Sequence, residues 1–353
     1  VTFLPERMRA LRKETAGPGL LLAEIPVPRP GPRDVLIRVR YAGICGTDRH
    51  IQAWDPWAAS RIAPPLTVGH EFVGTVAAVG EAVRRVAVGA RVSGEGHIGC
   101  GACEPCRSGN GHICETVDIL GVDRDGTFAD YLLLPEENVW PVDPAIPDEI
   151  AAIMDPLGNA MHTVMAAGVS GRSVLVTGAG VIGLMAIAIA RAAGAGTIIA
   201  TDVEEDRLAQ ARRMGADATF PATDPGWPDA VRKLTAGEGA QVLLEMSGAP
   251  SAIRAGFRAL RNGGRAALLG LPSRPVELDL PNDIIFKGAT VLGINGRLMY
   301  ATWYQVESFL VSGRLDIAPL ISGIVPLADF ADAFRRLDER DALKVLLRVE
   351  PPG

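Results

Sequence analysis

Hydrophobic and polar positions change their pattern twice along this chain. From Met8 to about Ala160 the apolar residues fall in short runs or alternate with polar ones. Asp34-Val35-Leu36-Ile37-Arg38-Val39-Arg40 reads as a strand, and Phe72 to Val79 reads as another with glycines at its ends. Pro26, Pro28, Pro30 and Pro32 make the segment before the first of these extended and turn-rich. From about Met161 to Asn295, strand-like and helix-like stretches alternate. Strands are expected at Val174–Thr177, Thr197–Asp202, Gln241–Met246, Ala266–Gly270 and Thr290–Ile294. Helices are expected at Ile182–Ala193, Glu204–Met214, Asp229–Thr235 and Ala252–Leu260. That alternation predicts a parallel sheet. Beyond Met299 the pattern predicts helices near Trp303–Ser312 and Ala328–Leu337. A last strand, Lys344-Val345-Leu346-Leu347-Arg348-Val349, could rejoin the first part. The expected architecture is α/β. Residues 161–298 form a Rossmann-type, parallel-sheet nucleotide domain, inserted into a discontinuous β-rich domain made of residues 1–160 and 299–353.

Composition narrows the function. The 353 residues are 48% hydrophobic and 22% charged, which suits a soluble chain of two domains. A net charge of −6, without a basic block interleaved with aromatics, argues against a nucleic-acid partner. The long apolar region Val174–Ala200 is broken by glycines and carries Arg191, so no membrane span is expected. No apolar signal core stands at the N-terminus, and the expected location is the cytoplasm. Since Met8 opens a strand-like phrase, Val1 to Arg7 reads as an extension or an upstream start.

Val174-Leu175-Val176-Thr177 runs into Gly178-Ala179-Gly180-Val181-Ile182-Gly183 and then a helix, and Asp202 ends the next strand about 20 residues on. In that context the glycines have separate tasks. Gly178 permits a tight turn, Gly180 lets the backbone approach a pyrophosphate, and Gly183 lets helix and strand pack closely. The helix N-terminus offers free N–H groups and partial positive charge to phosphate. Asp202 suits ribose hydroxyls and repels a 2′-phosphate, so NAD is expected in preference to NADP. Arg207 nearby either meets a phosphate or lies over the adenine end.

Four of the five cysteines fall in one short Gly-containing stretch, Cys100-x2-Cys103-x2-Cys106-x7-Cys114. Four thiolates so placed suit a closed, tetrahedral structural zinc site in a lobe at residues 97–116, with an iron–sulfur cluster as the alternative. The fifth, Cys45, stands in Gly43-Ile44-Cys45-Gly46-Thr47-Asp48, and Gly69-His70-Glu71-Phe72-Val73-Gly74 follows it. A thiolate, an imidazole and a carboxylate from separate glycine-flanked turns suit a zinc site that keeps an open position.

These phrases, from Met8 almost to the end, resemble the zinc-dependent medium-chain alcohol dehydrogenases. The resemblance implies that the β-rich domain is GroES-like. It implies that Cys45, His70 and Glu71 hold a catalytic zinc, and that the four clustered cysteines hold a structural one. Two Zn²⁺ per chain are then expected. Thr47 and His50 match proton-relay positions, and Asp155 matches an acidic position beside the metal, taken as catalytic rather than as a ligand. Ile182, Asp202, Arg207, the Leu269-Gly270-Leu271 turn, Ile294 and Asn295 match positions that contact NAD; Asn295 replaces an aromatic found in some relatives. A homotetramer is implied as well. Within the family, several phrases are similar to the branch that oxidises the β-hydroxyl of L-threonine. They are Cys45-Gly46-Thr47-Asp48-Arg49-His50-Ile51, Gly94-Glu95-Gly96-His97-Ile98, Asp155-Pro156-Leu157-Gly158-Asn159-Ala160, Glu245-Met246-Ser247-Gly248-Ala249-Pro250 and Thr302-Trp303-Tyr304.

An amino-acid substrate needs a partner for each of its charges. Arg297 could take the carboxylate and Asp155 the ammonium, while His97 could line the pocket. Two rivals stand beside this reading. One is a polyol or 2,3-butanediol dehydrogenase with the same zinc and NAD chemistry. The other is a non-catalytic zinc and nucleotide binder that senses redox state.

Overall fold

The structure, a computed structural model, describes residues 4–349. Val1 to Phe3, part of the expected N-terminal extension, lie outside it. The described chain forms two compact units. One comprises the chain up to Asp155 and everything from Ala318 on; the other is Pro156–Ile317. The helix Ala301–Val311 therefore belongs to the second unit, while the strand Lys344–Arg348 belongs to the first.

The first unit is built on strand Asp34–Gly43. Val35, Leu36, Ile37 and Val39 are buried along it, whereas Arg38 and Arg40 face solvent. It pairs antiparallel with Glu71–Val79, Tyr131–Pro135 and Lys344–Arg348. Its last residue, Gly43, stands opposite both Glu71 and Leu346. A sheet register thus brings three distant segments to one point. The sheet packs on a core that includes Phe72, Phe128, Leu132 and Phe334. A two-stranded ribbon, His97–Ile98 with Asp118–Ile119, roots the cysteine lobe.

The second unit holds a six-stranded, all-parallel sheet. Its spatial order is Ala218–Pro221, Thr197–Asp202, Ser173–Thr177, Ala240–Glu245, Leu260–Leu268, Thr290–Gly293. In sequence terms that is third, second, first, fourth, fifth, sixth. The order reverses between the first and fourth strands, the place where doubly wound sheets bind ligands. Val174–Thr177 and Val242–Glu245 are buried at every position, as strands covered on both faces must be. The helices Val181–Ala192, Glu205–Arg213, Trp227–Leu234 and Pro250–Ala259 lie close to the expected spans. The helix Met154–Ala167 was not expected; it contains Pro156 and Gly158, and proline is tolerated in a first helical turn.

Candidate functional site

In the first unit the sequence builds a donor cluster from two glycine-bounded turns. Cys45 is the N-cap of helix Gly46–Ala53. Its backbone N–H donates to Asp48 Oδ2 at 2.8 Å, fixing the turn. Gly69 has φ +96, and a Cβ there would meet the Phe128 ring at 2.4 Å, so only glycine turns the chain into His70. Glu71 opens its strand with no exposure at all, and a Cβ on Gly43 would meet Glu71 Oε2 at 2.1 Å. Gly43 is therefore the space that the Glu71 carboxylate occupies. The donor atoms of Cys45, His70 and Glu71 lie within 4.8 Å of one another.

The electrostatics bear on which ion these donors suit. Burial works to lower the His70 imidazole, yet the Asp48 carboxylate, then Cys45 and Asp155, outweigh it and hold the group raised to about 10. Asp48 is buried, with Oδ1 3.6 Å from His70 Nδ1; burial raises it to about 6 against the pull of His70. A site in which an imidazole retains a proton so firmly is a site with excess negative charge. A divalent cation satisfies the same excess, and the mixed sulfur, nitrogen and oxygen set fits zinc.

Glu71 has a second partner. Lys344 Nζ lies 2.6 Å from Glu71 Oε1 and 2.5 Å from Oε2, and donates to the Ile44 carbonyl at 2.9 Å. Both side chains are buried, and the Lys344 ammonium is raised: burial opposes it, but Glu71 and Cys45 prevail. Lys344 and Asp48 are the two residues of this cluster to which sequence reasoning gave no role. Lys344 had one signal, a lone cation at the head of an apolar strand.

Thr47 is half-buried on the helix after Cys45. On the same helix His50 is exposed, its Nδ1 2.6 Å from Asp55 Oδ2 and its ring edge-on to Trp57. Asp155 is buried in the first turn of helix Met154–Ala167. His97 is anchored by Glu95, whose Oε1 accepts from the His97 backbone at 2.9 Å and lies 3.0 Å from its Nδ1.

The cysteine lobe forms a second donor set. Cys100, Cys103, Cys106 and Cys114 are free thiols with their sulfurs gathered together. The sulfurs of Cys103 and Cys114 are 3.7 Å apart, far beyond a disulfide. That spacing is near the ~3.8 Å edge of a tetrahedron with ~2.3 Å zinc–sulfur bonds. Backbone N–H groups of Ala102 and Cys103 point at Cys100 Sγ and lower that thiol to about 6, whereas burial pushes Cys106 up to about 12. Gly99 leaves room for the sulfur of Cys106, which a Cβ would meet at 2.9 Å.

In the second unit the glycine turn has the expected form. Gly178 has φ +90, and a Cβ on Gly183 would meet the Gly178 carbonyl oxygen at 2.0 Å. Gly180 caps the helix Val181–Ala192, which carries Ile182. Asp202 Oδ2 accepts from the Ala179 N–H at 2.6 Å and Oδ1 from the Glu204 N–H at 3.0 Å, tying the glycine turn to the end of the second strand. Each oxygen keeps a lone pair for a hydroxyl. Arg207 is half-buried on the following helix. Leu269 and Gly270 donate to the Glu245 carbonyl at 3.0 Å, Ile294 donates to Leu268 at 2.9 Å, and Leu271 is 92% exposed with Asn295 also exposed. Arg297 is buried; its stem fills the place a Gly158 side chain would take, and Nη1 donates to Asn159 Oδ1 at 3.2 Å.

Residues 31–144 match the family described as alcohol dehydrogenase GroES-like domain, and residues 181–312 match zinc-binding dehydrogenase. The chain is 49% identical over 345 residues to an L-threonine 3-dehydrogenase of Symbiobacterium thermophilum, covering 98% of both chains. This chain belongs to the zinc-binding dehydrogenase family. Solved members share the fold: alcohol dehydrogenase TADH from Thermus sp. ATN1 has a TM-score of 0.88 at 32% identity, covering 97% of this chain and 100% of its own. The 2R,3R-butanediol dehydrogenase of Bacillus subtilis also has a TM-score of 0.88, at 27% identity with the same coverage. The family expected from the motifs is thus the family found, with a GroES-like part and a parallel-sheet part. Among the described residues no helix is long and apolar enough to cross a membrane.

Proposed function

We propose that this dehydrogenase oxidises the β-hydroxyl of L-threonine to 2-amino-3-oxobutanoate, with NAD⁺ accepting the hydride and one proton released to solvent. The observation that carries the substrate is the 49% identity to an L-threonine 3-dehydrogenase over 98% of each chain. In this reading Cys45, His70 and Glu71 hold the catalytic zinc, and Cys100, Cys103, Cys106 and Cys114 hold the structural one. Bound zinc supplies Lewis-acid polarisation of the substrate hydroxyl.

The remaining tasks belong to the chain itself. Asp48 orients His70 and balances its charge. The Thr47 hydroxyl can accept and donate a proton at once, so it serves as a relay and not as a base. His50, exposed and held by Asp55 Oδ2, passes the proton to water. Gly178, Gly180 and Gly183 admit the pyrophosphate, Asp202 takes the adenosine ribose, and Leu269–Leu271, Ile294 and Asn295 line the remainder. Asp155 and His97 serve the substrate's polar groups, and Arg297 its carboxylate.

The test is NADH formation followed by absorbance with L-threonine, D-threonine, sorbitol and 2,3-butanediol, each with NAD⁺ and with NADP⁺. L-threonine with NAD⁺ is expected to give the highest kcat/KM. A preference for either polyalcohol would replace the substrate assignment while sparing the family. Metal analysis is expected to find about two zinc ions per chain, one for each donor set. We further propose a cytoplasmic homotetramer. Thr290–Gly293 is a sheet edge, with Val291 exposed on it and Ile285 and Phe286 exposed just before it. Light scattering on the purified protein checks the copy number.

A further inference from the structure

Glu245 ends the fourth strand of the parallel sheet, is wholly buried, and is joined by no ion pair among the described residues. Its neighbours in register are Thr177, the end of the first strand, and Leu268, the end of the fifth. It therefore sits at the point where the strand order reverses. Its Oε1 accepts from Thr177 Oγ1 at 3.3 Å, from the Ser247 N–H at 3.0 Å, from the Ser247 hydroxyl in a shorter contact, and from the Gly248 N–H at 3.2 Å. Its Oε2 lies 3.2 Å from the same Gly248 nitrogen. Its own carbonyl accepts from Leu269 and Gly270, both at 3.0 Å. One residue thus ties together three strand ends, each of which leads into a loop.

The glycines around it show how closely those loops are fitted. A Cβ on Gly270 would meet Glu245 Oε2 at 2.6 Å and the Gly248 nitrogen at 2.2 Å. Gly248 has φ +65, and a Cβ there would meet the Leu271 carbonyl oxygen at 2.4 Å; one on Gly178 would meet Ser247 Cβ at 2.8 Å. Burial pushes the Glu245 carboxyl up, and the donors from Ser247, Gly248 and Thr177 only partly offset it. A buried carboxyl without a cation is a poor way to add stability, since apolar groups of similar volume usually do better. What the group supplies here is geometry.

We propose that Glu245 is a positioning residue for the dinucleotide, locking the glycine turn of the first mononucleotide half to the loops Met246–Gly248 and Leu269–Leu271 of the second. The inference rests on the dinucleotide reading of the glycine turn and names a residue which that reading leaves unused. The first half, with Gly178 and Asp202, can hold an adenosine phosphate by itself. The bonds from the Glu245 carbonyl to Leu269 and Gly270 are main-chain and survive any substitution; the carboxylate acts on the second half by fixing Gly248, against which Gly270 and Leu271 pack, and by filling the space beside Gly270. The whole dinucleotide should therefore feel the loss of Glu245 more than the adenosine half does.

The experiment is fluorescence titration of the zinc-loaded protein with NADH, beside calorimetric titration with 5′-AMP, for wild type, Glu245→Leu, Glu245→Gln and Ser247→Ala. Glu245→Leu is expected to weaken NADH tenfold or more while changing AMP less than threefold. Glu245→Gln keeps the Oε1 acceptor and should stay within about threefold of wild type for both ligands. Ser247→Ala, which leaves the carboxyl in place, should weaken NADH about threefold and leave AMP unchanged. It decides the matter if Glu245→Leu does not fold. NADH affinities like wild type in Leu and Ala variants, or equal losses of NADH and AMP, would overturn the inference, as would a Gln variant no better than Leu. A wild-type protein that binds neither ligand would instead overturn the dinucleotide reading.

Discussion

At the scale of single residues, the pairing of Glu71 with Lys344 fixes one carboxylate of the candidate metal cluster. The two are 273 positions apart and fully enclosed. Removing one partner of a buried pair leaves an uncompensated charge, which costs about 3–5 kcal/mol. Lys344→Ala should therefore lower unfolding stability by about that amount in urea titrations, and Glu71→Leu with Lys344→Met should recover most of it. His70 makes a second forecast. Because its imidazole stands at about 10 without metal, it must lose its proton to bind an ion near neutrality. Zinc binding at pH 7 should release protons, visible as a dependence of calorimetric heat on buffer ionisation enthalpy, and zinc affinity should rise with pH. The sign for stability follows from the same group. Its folded value exceeds the ordinary 6.5, so the stability it adds to the zinc-free protein is complete below 6.5 and is lost as pH rises through about 10. Thermal melts of the stripped protein should accordingly fall between pH 7 and 10. Cys45, His70 and Glu71 were legible in the sequence because each stands beside a glycine turn whose need is local. Lys344 was not, because its reason for being there is a carboxylate in another segment.

At the scale of elements, the turns and strands that the chain spells out locally were readable, and those decided by packing were not. Five of the six parallel strands announced themselves as apolar runs between turn residues; Ala218–Pro221, a short and only partly buried edge strand, did not. Helix Met154–Ala167 was hidden by Pro156 and Gly158, and Gly158 is explained only by the Arg297 stem that crosses it. The glycine turn at Gly178 carries a prediction at this scale. A methyl group at residue 183 has a carbonyl oxygen 2.0 Å away, so Gly183→Ala must push the helix Val181–Ala192 off its strand. Overpacking of this kind costs ~1–3 kcal/mol, and NADH affinity should drop by about tenfold in fluorescence titration. The proposed structural-zinc reading of the cysteine lobe carries a prediction at this scale as well. Cys103→Ser should remove one zinc per chain by metal analysis and open residues 97–116 to proteolysis, because the lobe has only a two-stranded ribbon beneath it.

At the scale of the whole molecule, the discontinuity of the first unit is the feature with the widest reach. Its sheet is completed by strand Lys344–Arg348, which lies beside Asp34–Gly43 and supplies the ammonium that Glu71 requires. On the ribosome, the carboxylate emerges long before its counter-ion, with the entire inserted unit synthesised in between. A nascent chain must therefore hold an unfinished sheet open until residue 344 has left the exit tunnel. On the proposed zinc reading, metal loading at Cys45, His70 and Glu71 is expected late in biogenesis, and chaperone engagement should be strongest on translation intermediates that already contain the first strands and still lack the last.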